Sequence, residues 1–365
     1  MSHRIRLAAV ALAVFVSLVP AVRAWEYEGH RIVAQVALRS LPADFPAFVR
    51  TPANADRVAY LANVPDRWRN VDPWLKQSGS SWLDHYINFE QLTAAGLDAR
   101  TVPSLRLDFA AMFTAGRAAN AEKFPIIDPA KNSGHVNEWP GFAPWAIADW
   151  FNKLRSAFGA LKAFEEVGGT PEEIANAQAD LIYTMGIMSH YIGDCAQPLH
   201  TSIHHNGWVG DNPDGFTTWN GLHSWIDGKD GGGFIGKAGI VLADVAPRAS
   251  TVQPFALGPR ADGRDPFFVV VMDYILAQHA HVRPLYELEK AGRLANGDDR
   301  PVAPEGRAFI EGQLLAGGQM LARTWLTAWQ TAPVDTYLRA QLARRQAPAP
   351  APASAPAALP QRSAP

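Results

Sequence analysis

The amino-acid sequence predicts an all-α, mainly helical fold in one domain. Five stretches space apolar residues at helical intervals: 30–41, 146–167, 171–194, 266–290 and 304–330. Alternating apolar and polar runs of the strand type are scarce. The third stretch opens TPEE, with Thr170 as N-cap, Pro171 in the first turn and two acids behind it.

Taken in order, the chain begins with a segment that reads as a signal peptide over 1–24. Arg4 and Arg6 precede the apolar run LAAVALAVFVSLVPAV (7–22), and AVRA ends at Ala24 with small residues at the cleavage positions. The apolar run has 16 residues, short of the roughly 20 that span a bilayer. The expectation is a mature chain without a transmembrane segment, periplasmic or secreted, that starts at Trp25. Losing Arg4, Arg6 and Arg23 takes the formal charge from −2 to −5. The domain is expected over 25–340. Within it, 91–145 is rich in Pro and Gly and reads as an irregular region with weak helices, a surface excursion. Residues 205–235 read as a Gly/Asp/Asn/Trp-rich loop interrupted by LHSWID. The expected disordered tail covers 341–365, low in complexity from QAPAPAPASAPAALPQRSAP (346–365) onward. No internal repeat is present.

Apolar residues make up 48% of the 365, enough for a sizeable core. The slightly acidic charge argues against a broad electrostatic grip on duplex DNA. Export permits disulfides, yet Cys195 is the only cysteine, so no intramolecular bridge can form. Structural metal is the candidate staple.

The residues with metal-ligand chemistry cluster in short motifs. In HYIGDCAQPLH, His190 and Asp194 are four apart and share one face of a helix; His200 follows after the helix is stopped at Gln197-Pro198. HSWID repeats the device with His223 and Asp227. Imidazole nitrogen with carboxylate oxygen suits zinc. A single such pair is usually a surface ion pair; two pairs with an intervening histidine, in an exported chain without disulfides, point to metal. WEYEGH puts His30 five residues after Trp25, whose α-amino nitrogen and carbonyl oxygen can close a chelate ring. LDHYINFE places His85 among apolar residues, and VPDRWR holds Asp66 beside Arg67 and Arg69.

The order W-x3-GH, D-x2-R, HYxN, H-x3-D-x5-H, LH-x3-D resembles the three-zinc, single-strand-specific nucleases of the S-one/P-one type, a sister group of the zinc-dependent phospholipases C. The resemblance runs from Trp25 to about Asp227, with the helical pattern continuing to about residue 335. It implies a phospholipase C/nuclease-type helical fold with long loops around a trinuclear zinc cleft, and three Zn2+. Asp66, His85, His190 and Asp194 would hold one ion. His200, His223 and Asp227 would hold another. The amino nitrogen and carbonyl oxygen of Trp25, with His30 and Asp194, would hold the third, so that Asp194 bridges two.

Two details favour the nuclease side: the short gap before His30, and Asp227 rather than Glu as last ligand. The resemblance then implies an endonuclease/3′-nucleotidase that hydrolyses single-stranded DNA, RNA or 3′-nucleotides to 5′-phosphate products and does not bind duplex specifically; a monomer is expected. Asp66 would orient the attacking water and Arg69 contact the phosphate. Tyr86 would stack a base and Asn88 hydrogen-bond its edge. A phospholipase C or another phosphodiesterase is the alternative, and a non-catalytic zinc-stabilised binder with a blocked cleft is a third. TSIHHNGWVGDNPDGFTTWNG lacks the GGN element usual in the family's nucleases, and the piece between His85 and His190 is longer; both departures fall on segments expected to meet substrate. His204, His205, Trp208 and Trp219 are candidates for the rim. His279 and His281 are expected to face solvent or pack in a helix, and Cys195 to be a buried apolar filler.

Overall fold

A computed structural model describes residues 27–72, 74–75, 82–228, 233–296 and 300–347. No β-strand occurs among them, and the fold is all-α. The helices are α1 (Tyr27–Ser40), α2 (Pro52–Leu61), α3 (Val64–Val71), α4 (Phe89–Ala94), α5 (Arg106–Ala119), α6 (Ala143–Val167), α7 (Pro171–Ala196), α8 (Leu222–Asp227), α9 (Gly233–Ala238), α10 (Leu242–Val245), α11 (Pro266–His279), α12 (Val282–Lys290), α13 (Pro304–Gln330) and α14 (Thr336–Gln346). The signal segment and Trp25 lie outside the described residues, as does the tail beyond Ala347.

Helix α7 organises the rest. Every residue from Thr184 to Ala196 is buried. A helix apolar around its whole circumference belongs in a core, and α1, α2, α6 and α13 pack around this one. Its start is fixed by a capping box: the Thr170 hydroxyl accepts from the Glu173 N–H at 3.2 Å, and the Glu173 carboxylate accepts from the Thr170 N–H at 2.9 Å. Glu173 also receives both terminal nitrogens of Arg345, at 2.9 and 3.1 Å. The Arg345 guanidinium holds that carboxyl down at about 2. The stop is equally local: Gln197 is extended (ψ 115°), as a residue before proline must be.

Three expectations need correction. The stretch 266–290 is two helices, broken at residues 280–281. Pro284 lies in the first turn of α12; one continuous helix would lose its N–H bond and press its ring against the carbonyl of Ala280. Segment 91–145 has the weak helices expected of it, but it packs into the fold rather than forming a surface excursion. It contains α5, of which only Phe109 and Phe113 are buried, a stripe too narrow for apolar spacing to reveal. These two join Phe142 and Trp145 in an aromatic cluster, Phe109 stacking on Trp145 at 3.9 Å. The Trp145 indole N–H closes it by donating to the Pro103 carbonyl. Finally, α14 runs to Gln346, so 341–346 is helix, not tail. Asp335 caps it by accepting from Leu338 N–H, and Arg339 and Arg345 bind Glu166 and Glu173.

No helix among the described residues is long and apolar enough to cross a membrane.

Losing the Thr170 hydroxyl removes one partner of an exposed helix start. Thr170→Ala is expected to lower unfolding free energy by about 1 kcal/mol, read as a shift of the denaturation midpoint. An unshifted midpoint would mean that Arg345 and Glu173 hold this end alone.

Candidate metal centre

The C-terminal end of α7 carries His190 and Asp194 into the core side by side, Nε2 to Oδ2 3.2 Å apart. His85, from the loop after α3, enters between them: its Nδ1 lies 2.8 Å from Asp194 Oδ2 and 2.9 Å from His190 Nε2. Asp66, in the first turn of α3, faces the same point, 3.9 Å from His85 Nδ1 and 3.8 Å from His190 Nε2. Its side chain is 13% exposed, whereas the other three are fully buried. On the far side, His30 of α1 stacks on His190, ring centroids 4.1 Å apart, and its Nε2 lies 3.4 Å from Asp194 Oδ1. The two oxygens of Asp194 therefore face two different groups. Neither ring nitrogen of His30 makes a hydrogen bond among the described residues, although both are buried. Gly193 permits this approach, since a Cβ there would sit 2.9 Å from His30 Nδ1.

A further group lies beyond His85. His200, just past Pro198, and His223 and Asp227 of α8 converge, with His223 Nε2 2.9 Å from both His200 Nε2 and Asp227 Oδ2. Helix α8 is only six residues long. It is held by Leu222 and Ile226, which face the core, and closed by Gly228 in the left-handed region. Its two polar residues are one turn apart and so meet His200 together.

Hydrogen bonds from behind orient these rings. His190 Nδ1 lies 2.7 Å from the Ala62 carbonyl, and His200 Nδ1 lies 2.8 Å from the His85 carbonyl. A carbonyl only accepts, so each Nδ1 carries the hydrogen and each Nε2 presents a lone pair. Gln197 does the same for a carboxylate: its Nε2 donates to Asp227 Oδ1 at 2.9 Å, while its Oε1 accepts from Leu199 N–H. Asp227 Oδ2 is buried and makes no hydrogen bond, despite its closeness to His223. Nitrogen and oxygen atoms some 3 Å apart, several of them converging on one point, have the spacing of neighbouring ligands; two donors about 2.1 Å from a tetrahedral ion lie about 3.4 Å apart.

Electrostatics agree. Burial and then His190 lower the pKa of His30, against the pull of Asp194. Burial raises Asp227, against His223 and Gln197. Buried charges are tolerated when paired or coordinated to metal. Three sets can each hold a metal ion: His30, His190 and Asp194; Asp66, His85 and His190; His200, His223 and Asp227. Every described residue expected as a ligand falls in one of them. Around His30 the geometry gathers Asp194, as the sequence expectation had it, and adds His190, whose one lone pair, on Nε2, can serve only one of the two sets that share it. Trp25 lies outside the described residues, and so does the side chain of Arg69, one turn after Asp66 in α3.

A cleft of about 590 Å³ opens beside the last set, with His200 and His223 in its wall. Tyr86 and Asn88 line it too. Their loop is pinned by backbone bonds: Asn88 N–H to the Pro140 carbonyl, Phe142 N–H to Leu83, Ala143 N–H to Tyr86, and Ile87 N–H to His200. Gly141 (φ 97°) makes this possible, for a Cβ there would lie 2.1 Å from the Tyr86 oxygen. Arg106 of α5 ties the same loop down through Asp84 at 2.8 Å. Segment 91–145 does not block the cleft but supplies one wall, including Phe124 and Trp139.

Of the four rim candidates, His205 lines the cleft. Burial lowers its pKa to about 4, and its Nδ1 donates to the Ser202 carbonyl, so its neutral Nε2 carries a lone pair. His204 instead stacks on Trp208 at 3.9 Å, Trp208 packs on Phe216 and Tyr286, and Trp219 is exposed. His279 packs edge-on against Phe89, and His281 against Phe309. Cys195 is buried and its thiol is pushed well above its usual value by burial. The residue that sequence reasoning missed is Gln197; its place between a ligand helix and a helix-stopping proline was the available signal. No family model, characterised protein sequence or solved structure matches this chain. The resemblance in motif order is carried by these residues alone.

Removing the hydrogen bond that aims Asp227 should cost affinity at one set only. In Gln197→Leu, metal titration by calorimetry is expected to show one class of site weakened about 10- to 100-fold, the others unchanged. Equal affinity at every site in the variant would deny Gln197 that role.

Proposed function

We propose that this chain is an exported zinc-dependent phosphodiesterase, a nuclease/3′-nucleotidase that hydrolyses single-stranded DNA and RNA. The observation that carries the reading is the convergence of His30, Asp66, His85, His190, Asp194, His200, His223 and Asp227, from separate segments, on adjoining sets beside one cleft. Their order along the chain is that of the three-zinc nucleases. On this reading the ions are three Zn2+, and Trp25, exposed as a new N-terminus by signal cleavage, completes the set around His30.

Zinc held there supplies a Lewis acid that lowers the pKa of water and offsets charge on the phosphate and leaving oxygen. The chain's own residues do the rest. Asp66, whose side chain is partly exposed where His85 and His190 are fully buried, would accept a hydrogen bond from the attacking water. Arg69, one turn on, lies where the resemblance puts the phosphate contact. Attack forms a new P–O bond and breaks the bond to the 3′-oxygen, which leaves with a proton; the phosphate stays on the 5′ side of the product. Tyr86 offers a ring to a base and Asn88 an amide to its edge, in a loop whose backbone is fixed. An acidic chain can take an anionic substrate because the bound cations supply the local field.

A second reading has its own support. The cleft is lined largely by rings and aliphatic groups, among them Trp82, Tyr86, Phe124, Trp139, Leu199 and Ile203. An acyl chain would also find such walls favourable, as a phospholipase C requires.

Assays of the mature protein on single-stranded DNA, RNA, 3′-AMP and lecithin separate the two readings. Hydrolysis of the first three is expected, abolished by chelation and restored by zinc. In Asp66→Asn, kcat is expected to fall by about 10² or more. Lecithin turnover alone would transfer the chain to the second reading, and wild-type turnover in Asp66→Asn would remove that residue from the chemistry.

A further inference from the structure

The cleft extends beyond its inner end. Pockets of roughly 300–1,000 Å³ enclose ligands of drug size, and this one measures about 590 Å³. Its inner end, at His200 and His223, is flanked by Tyr86 and Asn88. Its other wall comes from the segment that lengthens the chain between His85 and His190, and bears Lys123, Phe124 and Trp139.

This outer part is built. Phe124 and Trp139 both rest on Phe113, with ring centroids 6.3 and 6.2 Å away. Phe113 is 1% exposed. The Arg117 guanidinium sits 4.3 Å from the Phe124 ring centroid and also donates to the Glu138 carbonyl, fixing that ring from one side. Gln91 follows Asn88 by one turn at the start of α4, so the two amides share a face. The Gln91 Oε1 is buried in the cleft wall and makes no hydrogen bond. A buried acceptor of this kind is unfavourable unless a donor arrives. Lys123 stands at the exposed rim, its ammonium on Asn120 Oδ1 at 2.7 Å. The one carboxylate in the wall, Glu90, has both oxygens engaged, by Ser202 Oγ and Ile203 N–H.

We propose that this outer part is a second base subsite, occupied by the nucleoside next to the one held at Tyr86 and Asn88. Its base stacks on the Phe124–Trp139 wall and gives a ring or exocyclic N–H to Gln91 Oε1, and Lys123 meets the adjoining phosphate. Aromatic stacking tolerates any base, and an amide reads an edge. The subsite makes the enzyme favour a strand over a mononucleotide. This rests on the nuclease reading.

The test compares kcat/KM for a short single-stranded oligoadenylate with that for 3′-AMP, in the zinc-loaded mature protein. Phe124→Ala and Gln91→Leu are expected to lower the ratio of the two about tenfold, the loss of one base contact. Phe124→Trp, which keeps a ring, should hold the wild-type ratio and so separates stacking from packing. An unchanged ratio in both truncations, or an equal fall on both substrates, overturns the second subsite while leaving the nuclease reading intact. A wild-type protein inactive on both substrates but active on lecithin overturns the nuclease reading itself; lecithin turnover lost in Phe124→Ala would then assign the wall to an acyl chain.

Discussion

The structure turns on one juxtaposition: His190 and Asp194, a turn apart on the wholly buried end of α7. A carboxylate taken out of water costs several kcal/mol even after the protein relaxes around it. Here it is placed among helices with imidazoles as its nearest polar neighbours. Burial lowers the basicity of His30, so that ring is a poor source of positive charge. A cation held between the groups would balance the arrangement, and the spacing of the ligand atoms is that of neighbours around an ion. The same cation would act as the staple that a chain with one cysteine lacks.

Such a centre works only if each lone pair is aimed before the ion arrives. The backbone does most of the aiming. The Ala62 carbonyl fixes the tautomer of His190, and the His85 carbonyl fixes that of His200. The latter bond links two metal-binding sets, because one residue gives a side chain to the first and a carbonyl to the second. Gln197 adds the matching constraint on Asp227. These bonds cost little to form, since carbonyls at helix ends and in loops need donors anyway. Thus the places where helices stop, at Ala62 and at Gln197–Pro198, are the places where ligands are oriented.

How much of this was legible follows from what each signal depends on. His190/Asp194 and His223/Asp227 were legible because i,i+4 spacing on a helix is a local rule. Helices α6, α7 and α13 were legible because long apolar faces repeat many times. The break before Pro284 was overlooked because the apolar spacing continues through it, although the proline itself was in view. Helix α5 was illegible for a different reason: two buried phenylalanines make too faint a stripe, and their partners Phe142 and Trp145 are some thirty residues away. Gln197 is the same case at the site. Its role exists only once α8 folds back against the end of α7, and no spacing rule reaches from 197 to 227.

The cleft joins two kinds of wall with different physical origins. The inner one, at residues 83–88, is held on both sides by backbone hydrogen bonds and by the close approach of Gly141 to Tyr86, so its geometry is tied to the ligand loop itself. The outer one is held by side chains packing on Phe113, contacts that substitutions can alter one at a time without moving a ligand. Side-chain packing adjusts to a change in volume, whereas a backbone ladder or a ligand position does not. It follows that the chain's departures in length and composition are accommodated in the outer wall, while the residues around the ions are constrained by their neighbours' backbone. On the proposed function, substrate choice and metal retention would therefore be separable, set by different atoms a few residues apart.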